Sequence, residues 1–98
     1  MSKVKIYQIK DIANTTYAFR DYYEQFFNIA DYELKAERVF DTTGMESIED
    51  LLEYIFEAGN DETGFKNQYD MRSVSVSDVI DVDGKKFYVN GMGFVELA

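Results

Sequence analysis

Val79-Ile80-Asp81-Val82-Asp83-Gly84-Lys85-Lys86-Phe87-Tyr88-Val89 sets two apolar runs on either side of an Asp-Gly pair. Both residues of that pair accept the left-handed backbone of a tight hairpin turn. The stretch therefore reads as a strand from Val79 to Val82, a turn at Asp83-Gly84 and a strand from Lys86 to Val89. Asn90-Gly91 marks a second turn, leading into a last strand from Phe94 to Leu97.

Upstream the apolar period changes. Ile48, Leu51, Leu52, Ile55 and Phe56 fall at i, i+3, i+4, i+7 and i+8, the core-facing stripe of a helix from Ile48 to about Ala58. Ser47 is a good N-cap, Glu49 and Asp50 place negative charge in the first turn, and Gly59 ends the helix. Val4, Ile6 and Ile9, with Tyr7 between them, predict a first strand from about Lys3 to Ile9. Asp11 to Thr16 reads as a turn, and Tyr17-Ala18-Phe19 as a short strand or the start of a helix. Tyr22, Tyr23, Phe26, Phe27 and Ala30 at helical spacing predict a short amphipathic helix over Asp21 to Ala30. Glu33 to Phe40 alternates as a strand does, with a break in register at Arg38-Val39. Asn60 to Arg72 is a long polar connection, expected to be a mobile loop anchored by Phe65, Tyr69 and Met71.

No proline, repeat or low-complexity linker divides the 98 residues, so a single domain over 1–98 is expected. Its class is α+β: a small, mostly antiparallel sheet packed with one or two helices and ending in a C-terminal β-hairpin. Hydrophobic residues make up 46% of the chain, with eight Tyr and eight Phe, which is ample material for one modest core. The N-terminal residues lack the apolar run of a signal peptide and no segment approaches membrane-spanning length, so a cytoplasmic location is the default expectation.

The chain has neither histidine nor cysteine. That removes the commonest general base, the thiol nucleophile, disulfides and ordinary zinc sites. Paired carboxylates could still hydrolyse a substrate, but nineteen acids guarantee many chance pairs, so no pair is informative. Gly91-Met92-Gly93 is too short for a phosphate-cradling loop. Asp78, Asp81 and Asp83 before Gly84 have the wrong spacing for a calcium loop and no glutamate follows at the needed distance, so they read as turn carboxylates. The expectation is a protein that is not an enzyme and takes no metal or cofactor.

A formal charge of −9 disfavours direct contact with nucleic acid or anionic membranes and favours a partner with a basic surface. From Asp41 to Phe65 there are eight acids and no lysine or arginine: Asp41, Glu46, Glu49, Asp50, Glu53, Glu57, Asp61 and Glu62. Within the helix these lie three or four apart on one outward face. Carboxylates four residues apart are about 6 Å apart along a helix axis, the same order as successive phosphates, so the face could present a phosphate-like row to an Arg/Lys-rich groove. The plainer alternative is the ordinary solvated side of an amphipathic helix, since like charges at that spacing cost only a few tenths of a kcal/mol per pair. A second candidate surface comes from Tyr17, Tyr22, Tyr23 and Tyr32, which crowd one region; one or two are expected to be exposed.

The run Arg72-Ser73-Val74-Ser75-Val76-Ser77-Asp78-Val79-Ile80, followed by Lys86-Phe87-Tyr88-Val89 and Gly93-Phe94-Val95-Glu96-Leu97, resembles the YodL-like domain family. These are small domains of Gram-positive bacteria, often carried on conjugative and phage-like elements. Val4 to Ile9, Tyr17-Ala18-Phe19 and Ile48 to Phe56 are more weakly similar to the family's opening strand, its Tyr-Ala-Phe element and its helix. The chain departs at Val89-Asn90, where relatives commonly carry Cys-Asp, and in the longer polar stretch around Asn60 to Tyr69. The motif reads first as scaffold. Ser73, Ser75 and Ser77 can bond backbone groups, Asp78 can cap a turn, Val74 and Val76 point into the core, and Gly93 gives backbone freedom before Phe94.

For function the resemblance implies a setting, since small acidic proteins on mobile elements are often inhibitors of host defence. Anti-restriction and anti-CRISPR proteins act on targets that bind nucleic acid in basic channels. The combined expectation is a non-catalytic inhibitor of such a protein, with Glu46, Glu49, Asp50, Glu53, Glu57, Asp61 and Glu62 as contact residues. The alternative is a regulatory interaction module of a mobile element, working through exposed tyrosines on a target that does not bind nucleic acid.

Overall fold

The computed structural model describes residues 1–58 and 71–97. Its elements are β1 (Ser2–Ile9), β2 (Tyr32–Phe40), α1 (Ile48–Ala58), β3 (Val79–Val82), β4 (Lys85–Asn90) and β5 (Gly93–Glu96). The strands form one sheet in the order β2-β1-β3-β4-β5, with every neighbouring pair antiparallel. The fold is α+β. The Asp83-Gly84 turn closes β3 onto β4 with both residues at positive φ, 51° and 94°. The expected loop from Asn60 to Arg72 lies outside the described residues up to position 70, as does Gly59. Among the described residues no helix is long and apolar enough to cross a membrane.

Strand alternation gives the sheet two apolar faces, and each has its own cover. On one face Val4, Ile6, Ala36, Phe40, Ile80, Val82, Phe87 and Val89 pack with Leu51, Leu52 and Ile55 of α1 and with Val74. On the other, Ile9, Tyr32, Val79 and Tyr88 meet Tyr17, Tyr22 and Phe27 from the connection between β1 and β2. A sheet covered on both sides explains why all four residues of β3 are buried.

β2 serves both faces because of a bulge. Ile6 pairs with Ala36 but Tyr7 pairs with Leu34, so Lys35 is the extra residue. Without it Tyr32 and Phe40 would share a face; with it Tyr32 joins the tyrosine-rich side and Phe40 the helix side. The irregularity thus falls at Lys35 and not at Arg38-Val39, where the alternation of apolar residues had placed it.

The second helix does not form. Residues 21–30 contain a single turn, in which the Phe26 and Phe27 amides both donate to Tyr23 O, followed by a short 3-10 turn at Ile29–Asp31. Tyr17-Ala18-Phe19 is a turn as well, neither strand nor helix. Tertiary partners fix the chain just before this segment and at its first residues. Tyr88 Oη donates to Arg20 O at 2.6 Å, the Tyr22 amide donates to Asn90 Oδ1 at 2.8 Å, and the Phe19 amide donates to Ser77 Oγ at 2.9 Å. Phe, Tyr and Asn have weak helix propensity, so these fixed partners prevail. Two smaller expectations also fail: Ile48 is 41% exposed and lies off the core stripe, and of Val74 and Val76 only Val74 is buried.

Candidate functional site

α1 begins with Ser47 Oγ accepting the Asp50 amide at 3.3 Å, which satisfies one orphan donor of the first turn. The apolar stripe of Leu51, Leu52 and Ile55 then fixes the rotation of the helix on the sheet, and the acids follow from it. Glu46, Glu49, Asp50, Glu53 and Glu57 are all exposed, with Glu49, Glu53 and Glu57 in one row at four-residue spacing. Asp61 and Glu62 lie outside the described residues. The ion pairs among the described residues, Lys3–Glu37, Lys35–Glu33 and Lys86–Asp81, all belong to the sheet, and none involves an acid of α1. The last turn of α1 carries no basic residue. Asp41, which opens the acidic run, accepts the Thr43 amide at 2.9 Å, and that bond holds its carboxyl below the usual range.

Between α1 and β5 lies an open groove of about 390 Å³. Glu53 and Glu57 line its helix side, Phe56, Phe94 and Val89 its apolar part, and Asn90, Gly91 and Gly93 its far rim. Gly93 has φ +95°, and a Cβ built there meets nothing within 4 Å, so the backbone geometry and not crowding favours glycine. Phe94 is partly buried against the helix-side core.

The segment from Arg72 to Asp78 is tied to β1. Gln8, fully buried, donates from Nε2 to Asp78 Oδ2 at 3.0 Å and to Arg72 O at 3.1 Å, and its Oε1 accepts the Arg72 amide at 3.3 Å. Asp78 Oδ2 also accepts the Ser75 amide at 3.0 Å, whereas Oδ1 is buried and meets no described donor. Burial pushes the Asp78 carboxyl up to about 6, against the lowering effect of the Ser75 amide, the Gln8 amide and the Arg72 charge. Ser77, at φ 82°, accepts the Phe19 amide on Oγ and the Tyr32 hydroxyl on its carbonyl at 2.5 Å. Ser73 bonds through its carbonyl, a 3.5 Å acceptor for Gln8 Nε2. Gln8 is not a residue type that marks function by itself; its sequence signal is its place in the inward alternation Val4, Ile6, Gln8.

The opposite face is built from rings. Phe27 packs against Tyr22, Tyr17, Tyr32 and Tyr88 at centroid distances of 5.6–6.3 Å. Tyr17 Oη donates to Asp31 Oδ2 at 2.7 Å, and burial together with that carboxylate pushes the hydroxyl up to about 12. Tyr17 and Tyr32 are buried, Tyr22 is half-buried, and Tyr23 is exposed, stacked on exposed Phe26 at 5.4 Å. Phe19 is exposed as well, at φ 62°, with the Arg72 guanidinium 5.7 Å from its ring centre. Thr16, Tyr17, Arg20, Asp21, Tyr23 and Phe26 line a groove of about 450 Å³.

The three aspartates around the hairpin have separate tasks. Asp81 Oδ1 accepts the Gly84 amide at 2.9 Å while its Oδ2 pairs with Lys86, Asp83 Oδ1 accepts the Lys3 amide at 2.8 Å, and Asp78 is bound to Gln8. Among the described residues no three acids come together in a group able to hold a metal ion. No family model, no curated protein and no solved structure matches the chain.

Proposed function

We propose that this protein is a non-catalytic inhibitor that binds a nucleic-acid-handling bacterial defence protein, of the kind blocked by anti-CRISPR or anti-restriction proteins, through the acidic face of α1. One observation carries the reading. Five exposed carboxylates stand on and just before a single helix, and among the described residues none has a cationic partner. A basic nucleic-acid channel supplies the missing charge, and long-range attraction speeds the encounter. The lack of histidine and cysteine supports binding over chemistry. The resemblance of residues 72–97 to YodL-like domains supplies the setting of a mobile element.

The test is the triple reversal Glu49→Lys, Glu53→Lys, Glu57→Lys, assayed for inhibition in the bacterial host and for fold by circular dichroism. The expected outcome is a folded protein that no longer inhibits. Full inhibition by the triple variant sinks the electrostatic argument.

The exposed rings of Phe19, Tyr23 and Phe26 favour a second reading, that of a regulatory interaction module. The backbone at Phe19, Arg20 and Tyr22 is pinned by Ser77, Tyr88 and Asn90, and Tyr23 stacks on Phe26, so exposed aromatic area is held in place before any partner arrives. Partner capture that is insensitive to salt and lost in Tyr23→Ala or Phe26→Ala would select this reading over the first.

A further inference from the structure

We propose that the outer edge of β5 and the groove beside it dock an extended, arginine-bearing segment of a partner protein, which adds a strand to the sheet and lays one arginine between Glu53 and Glu57. The proposal rests on the reading of α1 as a contact face and specifies what that face receives.

The two edges of the sheet are finished differently. β2 carries a bulge at Lys35 and charges of both signs, Glu33, Lys35, Glu37 and Arg38, three of them tied into the ion pairs Lys35–Glu33 and Lys3–Glu37. Bulges and inward or edge lysines are how sheets refuse further strands. β5 has no bulge and no lysine or proline: its register with β4 is regular from Asn90↔Gly93 to Phe87↔Glu96, and its one charge is Glu96. The Leu97 amide donates to Lys86 O at 2.8 Å, which fixes which backbone groups face β4. By antiparallel alternation those of Phe94 and Glu96 face outward, and no described strand pairs with them.

Side-chain direction adds the specificity. Phe94 packs on the helix-side core, whereas Val95 and Leu97 pack on the opposite one, so a strand laid along β5 sends alternate side chains toward α1. There they meet the groove, whose apolar part matches the aliphatic stem of an arginine and whose charged wall, Glu53 and Glu57, matches the guanidinium. Among the described residues no lysine or arginine lines the groove to neutralise that wall. A guanidinium can bond a carboxylate through two donors and stack on an aromatic face, which a point-charge cation does less well. Main-chain bonding for affinity with alternate side chains for selectivity is the mode by which sheet edges recognise peptides.

The test titrates the full ¹⁵N-labelled chain with an acetylated, amidated Thr-Val-Arg-Val-Arg-Val-Thr peptide and with its citrulline counterpart, which keeps the shape and removes the charge. The expected result is saturable binding with shifts centred on the amides of residues 93–97 and of α1. Citrulline, or the double variant Glu53→Gln/Glu57→Gln, should weaken it about tenfold, roughly 1.4 kcal/mol. Asp11→Asn/Glu24→Gln removes the same charge from the connection between β1 and β2, away from the groove, and should change it less than about threefold. Equal weakening by both double variants, shifts elsewhere on the chain, or no saturation by about 1 mM peptide would each overturn the proposal. The measurement needs no target. Inhibition lost while the peptide still binds would indict the target class, and inhibition kept without peptide binding would indict the groove alone.

Discussion

At the scale of single residues, the chain accepts cost at three places that all meet near Ser77. Phe19 and Ser77 adopt positive φ, about 1–2 kcal/mol each for residues with a Cβ, and they are joined by the bond from the Phe19 amide to Ser77 Oγ. Next to them Asp78 is buried with one oxygen bonded and one not. Because its folded pKa is raised to about 6 from an ordinary 3.8, the folded state holds this proton more tightly than the unfolded one. Its contribution is therefore favourable at low pH, falls as pH rises from about 4 to about 6, and reaches a full penalty on the order of 3 kcal/mol above that. Glu37, held low by Lys3, works in the opposite direction as pH falls, so the Asp78 part is isolated by difference. Urea unfolding at pH 5 and pH 7.5 should show Asp78→Asn gaining stability relative to the parent at the higher pH. An unchanged gap between the two proteins would mean that Asp78 titrates normally.

At the scale of elements, α1 is instructive because its two ends obey different rules. Glu49 and Asp50 sit where the helix dipole welcomes negative charge, but Glu57 sits in the last turn, where it does not. Glu49, Glu53 and Glu57 also repel one another at i, i+4. Replacing Glu57 by lysine should therefore raise stability by roughly 0.5 kcal/mol, read as a higher thermal midpoint. A lower midpoint would show that Glu57 has a stabilising contact. The helix itself was legible in the sequence, since its stripe, N-cap and first-turn acids lie within eleven consecutive residues. The stretch from Asp21 to Ala30 carried an equally helical spacing and gave the wrong answer. Its inward residues, Tyr22 and Phe27, are five apart, and Ser77, Tyr88 and Asn90, which hold Phe19, Arg20 and Tyr22 at its start, come from the far end of the chain.

At the scale of the whole molecule, one sheet separates two surfaces of different chemistry, an acidic helix on one side and a ring-rich connection on the other. Nineteen acids against ten bases make self-repulsion the dominant long-range force. Raising sodium chloride from about 20 to about 300 mM shortens the Debye length well below the size of the domain, so the thermal midpoint should rise by a few degrees. A fall would mean that the surface ion pairs outweigh the repulsion. The same screening should weaken any complex made through α1, which links stability and binding to one variable with opposite signs.

Periodicity, turn chemistry and residue counts are local or additive properties, and these the sequence determined alone: α1, the Asp83-Gly84 hairpin, the negative charge, and the absence of imidazole and thiol. Strand order, the bulge at Lys35, the fate of residues 17–31 and the Gln8–Asp78 bond were decided only in the tertiary structure. The physical reason is distance along the chain. Gln8 and Asp78 are 70 positions apart, and whether a backbone group bonds within its own segment or to such a remote partner depends on which faces the folded sheet brings together.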